Sequence, residues 1–252
     1  MNYKRLLPII LLCSAFSASA AERWFEVEVL LFQRNISLDK LSEKLSDDQL
    51  LLNTDNSISM LKATGSTNPV VISAQQFDKN TNNFILLDSS HLQLSAQRKK
   101  LAAHAGFKPI LHMAWQMPVK PKNSAKPIHL FGGENLGSGS QSGDKWAIDG
   151  NFKIYLNHYL FIDSQFIVSQ KTVQKKIQGQ PAAVQNSNIL ESENGVEIID
   201  LNREADTLSN SPQIMIKEAL FDQRRRLRSG EIHYLDHPLM GIIVQIRKIA
   251  GK

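Results

Sequence analysis

Between residues 24 and 34 apolar and polar side chains alternate with a period of two. Phe25, Val27, Val29 and Leu31 fall on one face and Glu26 and Glu28 on the other, and Leu30 and Phe32 then make both faces apolar. That period predicts a β-strand. The spacing lengthens next: Leu38, Leu41, Leu45 and Leu52 suit a helix over 38–52, followed by a polar, Asn-rich stretch to about residue 88. Ser89 or Ser90 is placed to cap a second helix over residues 91–104, with Leu94, Leu101 and Ala105 on its buried stripe and Gly106 as its stop. A strand follows, with Leu111, Met113, Trp115 and Met117 on one face. Strand, helix and strand in this order permit a right-handed βαβ crossover that would pair 24–34 with 107–117 in parallel.

From Lys126 onward the pattern is strands only. Residues 126–131 form a short one, and 132–143 read as a flexible Gly/Ser loop. Residues 145–173 keep Phe152, Ile154, Leu156, Leu160 and Ile162 in phase, which predicts two strands joined near Asp163 and Ser164. His158 falls in the same apolar register and is expected to be buried with a hydrogen-bond partner. A polar excursion spans 178–195, and 196–201, 212–221 and 239–249 complete the strands. The expected class is α+β, an N-terminal strand–helix–strand unit feeding a largely antiparallel β-sheet, with a possible sub-boundary near 118–145.

The N-terminus changes the setting. Lys4 and Arg5, the apolar run Leu6–Leu12 and the small residues Ala18, Ser19 and Ala20 form a secretory signal peptide, residues 1–20. The apolar run is too short to span a bilayer. Leu11 and Leu12 precede Cys13 where a lipidation site needs small residues, so the mature protein is expected to be soluble and to start at Ala21. Removing 20 of the 252 residues leaves 232, none of them cysteine. An exported protein without disulfides must rely on its core. Taking away Lys4 and Arg5 leaves 27 Lys and Arg against 24 Asp and Glu, a balance too mild for a nucleic-acid binder. Such a balance suits an acidic polymer without selecting one.

Specific chemistry concentrates near the C-terminus, in residues 224–241, RRRLRSGEIHYLDHPLMG. On a strand Arg224, Arg226 and Arg228 share one face and Arg225 lies opposite. Guanidinium forks match carboxylates, so this run is the leading binding element; the bland alternative is a solvated cluster paired with Asp222 and Glu231. His233 and His237 have the i,i+4 spacing of metal ligands on a helix. Gly230, Ile232, Tyr234 and Pro238 argue for a strand instead, where that spacing is roughly 13 Å, too long to chelate one ion unless a turn near Asp236, His237 and Pro238 shortens it. The simpler reading is a structural turn at Asp236, His237 and Pro238, with the Asp236 carboxylate accepting the amides that follow it and His237 bonding a neighbouring carbonyl. Trp24, Trp115, Trp146, Tyr155, Tyr159 and Tyr234 are possible sugar-stacking platforms. Trp24 and Trp115 read as core, and Trp146, just after the Gly/Ser loop, as the most exposed. There is no nucleophilic cysteine, Gly-x-Ser-x-Gly elbow, His-Glu-x-x-His or phosphate-binding glycine loop, and no cofactor or bound metal is expected.

The run from Arg225 to Gly241, with a weaker match at Trp24–Phe32 (WFEVEVLLF), resembles the signature of the CsiV family, periplasmic peptidoglycan-binding proteins of Gram-negative bacteria. The resemblance implies a non-catalytic protein that binds peptidoglycan and assists a bifunctional peptidoglycan synthase through its outer-membrane lipoprotein activator. Arg224, Arg226, Arg228, Trp146 and Tyr234 are the candidate contacts. The alternative from another class is a metal-assisted cell-wall hydrolase built on His233 and His237.

Overall fold

The computed structural model describes residues 22–37, 50–63, 65–78, 83–137, 144–174 and 213–250. The helix expected over 38–52 and the strand over 196–201 fall outside or mostly outside them. The described chain forms two five-stranded sheets and one short helix, an α+β fold dominated by antiparallel pairing. In order come β1 (Trp24–Arg34), β2 (Ile58–Ser59), β3 (Ile85–Leu86), α1 (Ser95–Ala103), β4 (Phe107–Pro118), β5 (Ile128–Asn135), β6 (Trp146–Asn157), β7 (Tyr159–Gln174), β8 (Gln213–Leu227), β9 (Ile232–Asp236) and β10 (Met240–Lys248). The first sheet runs β3-β4-β1-β10-β9 and the second β2-β5-β6-β7-β8. Their facing sides share one apolar core: Val27, Val29, Leu111, Met113, Trp115, Ile242 and Val244 from the first sheet, and Ile128, Leu130, Phe152, Ile154, Ile162, Phe166 and Phe221 from the second.

The central place of β1 explains its two apolar faces. Its other side is covered by α1 and the turn before it, where Leu92 and Leu94 are buried. Glu28 faces this side with no exposed surface. Its Oε1 accepts the Leu94 amide (2.7 Å) and His112 Nε2 (2.9 Å). Its Oε2 accepts the Gln93 amide (3.0 Å) and Arg247 (3.2 Å). Burial alone would raise the Glu28 pKa, but the bonds from His112, Leu94, Gln93 and Arg247 outweigh it and hold the pKa below its ordinary value. Leu94 offers α1 no side-chain cap, so a strand carboxylate satisfies the amides at the helix entrance.

Several expectations are corrected. β1 and β4 are antiparallel neighbours, with Val27 opposite Trp115, and not the outer strands of a parallel crossover. At nine residues α1 spans about 14 Å, less than half of an 11-residue strand, too short to carry the chain back along β1. The helix is also shorter than expected: Asp88, not Ser89 or Ser90, caps the 3₁₀ turn ahead of it. Leu101 is only partly buried and Ala105 is exposed. The β6–β7 turn falls at His158, with φ 56°, rather than at Asp163 and Ser164. Leu156 pairs with Leu160 and Ile154 with Ile162, so the turn keeps the parity of the apolar positions and leaves no break in the pattern. His158 is therefore exposed, not a buried histidine. Trp146 opens β6 and is 3% exposed, packed on Phe131 at 5.1 Å, so it offers no stacking platform. Trp115 is core as expected, and Trp24 is half-buried.

Candidate functional site

Strands β6, β7 and β8 pair without a break in register over the turn end of the second sheet. Ile154, Ile162, Phe221 and Leu227 point into the core, so their alternate neighbours form the outer face. Tyr155, Phe161 and Arg226 make one row across the three strands, and Lys153, Asp163 and Arg224 make the next. The Tyr155 ring stacks on Phe161 at 5.4 Å, and Lys122 and Lys153 stand over it at 5.8 and 5.9 Å. Tyr155 is 2% exposed under this cover. Burial comes first, with the Asp163 charge next, in raising its phenol pKa.

The arginines separate into different states. Arg224 grips Asp163 with Nε (2.6 Å) and a terminal nitrogen (3.1 Å), and this hydrogen bond raises its pKa. The guanidinium of Arg226 lies over the Tyr159 ring at 4.7 Å, and Tyr159 is 58% exposed. Arg228 lies just beyond β8 on the same side, within 3.7 Å of Glu231. Arg225 is exposed on the opposite side of the strand. The shared face expected for Arg224 and Arg226 is present, with Lys122, Lys153 and Phe161 added. Those three carry no signal in the sequence, because strand register brings Lys153 and Phe161 to this face and the bridge of Pro121 to Leu156 brings Lys122.

Tyr234 is not part of this face. Leu235 enters the core, so Tyr234 points outward from the first sheet. Its ring stacks on Phe32 at 6.1 Å across Gly241, where an added Cβ would lie 2.4 Å from Phe32 and 2.9 Å from Tyr234. The hydroxyl donates to Asp236 (2.6 Å) and accepts from Arg34 (2.9 Å), and Arg34 also pairs with Asp236.

The turn between β9 and β10 lies where Asp236, His237 and Pro238 placed it, with a different role for Asp236. Asp236 bonds Arg34 and Tyr234 rather than the following amides. His237 Nδ1 takes the Leu239 amide at 3.2 Å. His233 Nε2 lies 3.2 Å from both the amide and the carbonyl of Arg228. Both imidazoles are thus engaged by local backbone. Among the described residues no group of three or more His, Cys, Asp or Glu could hold a metal ion.

The family model for CsiV, peptidoglycan-binding protein, matches residues 4–249, nearly the whole chain. The chain belongs to the CsiV family. No curated protein and no solved structure matches it. As a CsiV-family protein it is a peptidoglycan-binding protein of the cell envelope, and the family's role is binding rather than catalysis. No helix among the described residues is long and apolar enough to cross a membrane.

Proposed function

We propose that this CsiV-family protein is a non-catalytic periplasmic component of cell-wall synthesis. A signal peptide of residues 1–20 exports it, and residues 21–252 form the mature peptidoglycan-binding domain. It assists a peptidoglycan synthase and that enzyme's outer-membrane lipoprotein activator while holding the wall itself. Arg226 and Arg228 form the main contact beside Arg224, which Asp163 holds on the same face, and Tyr234, on the other sheet, offers a second.

The observation that carries the binding role is the outer face of β6–β8. Arg224 and Arg226 project there beside Lys122 and Lys153, while the carboxylates on the same strands near them are Asp163 and Asp222. Stem peptides of peptidoglycan carry several carboxylates, and guanidinium and ammonium groups bind carboxylates through charge-assisted hydrogen bonds. Co-sedimentation with purified sacculi tests the reading. The triple variant Arg224→Gln, Arg226→Gln, Arg228→Gln should stay folded by circular dichroism and lose most retention, and added salt should weaken wild-type binding. A folded triple variant that sediments like wild type would contradict it. The assisting role predicts faster glycan polymerisation when the protein joins a purified synthase and activator, and an unchanged rate would count against that role.

A further inference from the structure

Resting on that peptidoglycan-binding reading, we infer that the outer face of β6–β8 recognises the free carboxylates of uncross-linked stem peptides. Arg226, with Lys122 and Lys153, receives the anion, and Arg224 is the internal partner of Asp163.

The rings on this face are poorly placed to take a sugar. Tyr155 is buried, with Phe161 stacked on it and Lys122 and Lys153 above it. Tyr159 is exposed but already carries Arg226. A guanidinium lying over a ring is engaged through its flat face. Its N–H donors lie in its plane and remain able to fork onto a carboxylate. Arg226 is therefore oriented for an anion by Tyr159, and no carboxylate among the described residues lies within ion-pair distance of it.

Arg224 differs. Both Asp163 oxygens are taken by its guanidinium, and Oδ1 also accepts the Tyr155 hydroxyl at 3.3 Å. Asp163 is the direct cross-strand neighbour of Lys153 as well. With that carboxylate committed to Arg224, Lys122 and Lys153 form no ion pair among the described residues. Asp222 lies one step along the face from Arg224 and adds to the field on it.

Three cations thus stand near one row of the sheet. Arg226 is on β8 and the lysines gather over Tyr155 on β6, two strand spacings or about 10 Å away. An extended peptide covers that span in about three residues. A stem peptide with carboxylates at its end and along its length has the reach to engage both groups. Cross-linking moves a stem acyl group from its amide with the terminal residue to an amine of a neighbouring stem, so one amide breaks, one forms, and the terminal residue leaves with its free carboxylate. The group this face binds is then the one cross-linking removes from the stem, so the protein favours wall that has not yet been joined.

The test compares three probes by titration calorimetry: soluble uncross-linked muropeptides, the same muropeptides with carboxyls converted to amides, and glycan strands stripped of their stems. Wild type should bind the first and bind the amidated form about tenfold or more weakly, the scale of losing a charge-assisted bond. Arg226→Gln should weaken muropeptide binding by about as much. Arg224→Gln should lower the melting temperature, and Arg225→Gln, on the opposite side of the strand, should change the affinity less than threefold. Equal binding of free and amidated muropeptides, or an unaffected Arg226→Gln, would overturn the inference. Binding to stripped strands alone would overturn it too while leaving the peptidoglycan reading intact. Binding to none of the three, nor to sacculi, would remove that reading as well.

Discussion

Replacing Glu28 by glutamine should damage the fold more than any other change of a single charge. Each carboxylate oxygen serves two donors: Oε1 takes Leu94 and His112, and Oε2 takes Gln93 and Arg247. A carboxamide has one acceptor oxygen. Whichever way it turns, its NH₂ faces two donors, the buried pair of Leu94 and His112 or the part-buried pair of Gln93 and Arg247. An unsatisfied buried group costs roughly 1–3 kcal/mol, so two cost about 4 kcal/mol, the scale of breaking a buried ion pair. For a chain of this size that lowers the melting temperature by about 8–16 °C. Glu26 gives the internal comparison, since among the described residues its carboxylate bonds Arg247 and it keeps some exposure. Glu26→Gln should cost about 1 kcal/mol. Urea unfolding of both variants measures the difference, and amide exchange at Gln93 and Leu94 should quicken in Glu28→Gln alone. A loss under about 1 kcal/mol for Glu28→Gln would refute the claim that this carboxylate anchors α1 to the sheet.

The same group sets an acid limit. Its folded pKa lies below the ordinary 4.5, so its contribution is complete above that value and fades as pH falls through the lowered one. Wild-type stability should drop on acidification below about pH 4.5 more steeply than that of Glu28→Gln, as thermal melts across pH 3–6 would show. Gly150→Ala should destabilise by about 3 kcal/mol or more, because the new Cβ would sit 2.2 Å from the Phe166 ring and 2.4 Å from the Gln165 carbonyl; a normal melting curve would contradict that packing. Asp236→Ala should release Arg34 and Tyr234 and cost about 1–2 kcal/mol, and Tyr234→Phe less, by urea unfolding; equal losses would mean the hydroxyl carries the contact alone.

Much of the architecture was legible where one face is buried and alternation is strict. β1, β4, β6 and β10 follow from it, as does the turn at 236–238, where Pro238 and the flanking β-formers agree. The failures share one cause, information held between elements rather than within them. The His158 turn left the apolar parity unbroken. Trp146 follows a Gly/Ser stretch, yet the sheet register turns it inward against Phe131. The direction of β4 relative to β1 depends on the path between them, which no period encodes. At the candidate site the arginines were visible as a run. Tyr159 and Lys153 join them only through strand pairing and Lys122 through the bridge of Pro121 to Leu156, and strand pairing also sets the difference between the paired Arg224 and the ring-mounted Arg226. The role of Asp236 at the β9–β10 turn was missed for a similar reason: Arg34, 202 residues away in sequence, claims its carboxylate.

The central claim is that peptidoglycan is bound on the outer face of β6–β8. It is tested most directly by mapping backbone and side-chain NMR shifts of the mature protein as soluble muropeptides are added. Perturbations should centre on Lys153, Tyr155, Tyr159, Phe161, Arg224 and Arg226, with a smaller change at Tyr234 on the opposite sheet. Shifts confined to Arg34, Phe107 and Tyr234, or to the open cleft of about 620 Å³ lined by Asn35, Lys108 and Lys171, would contradict it.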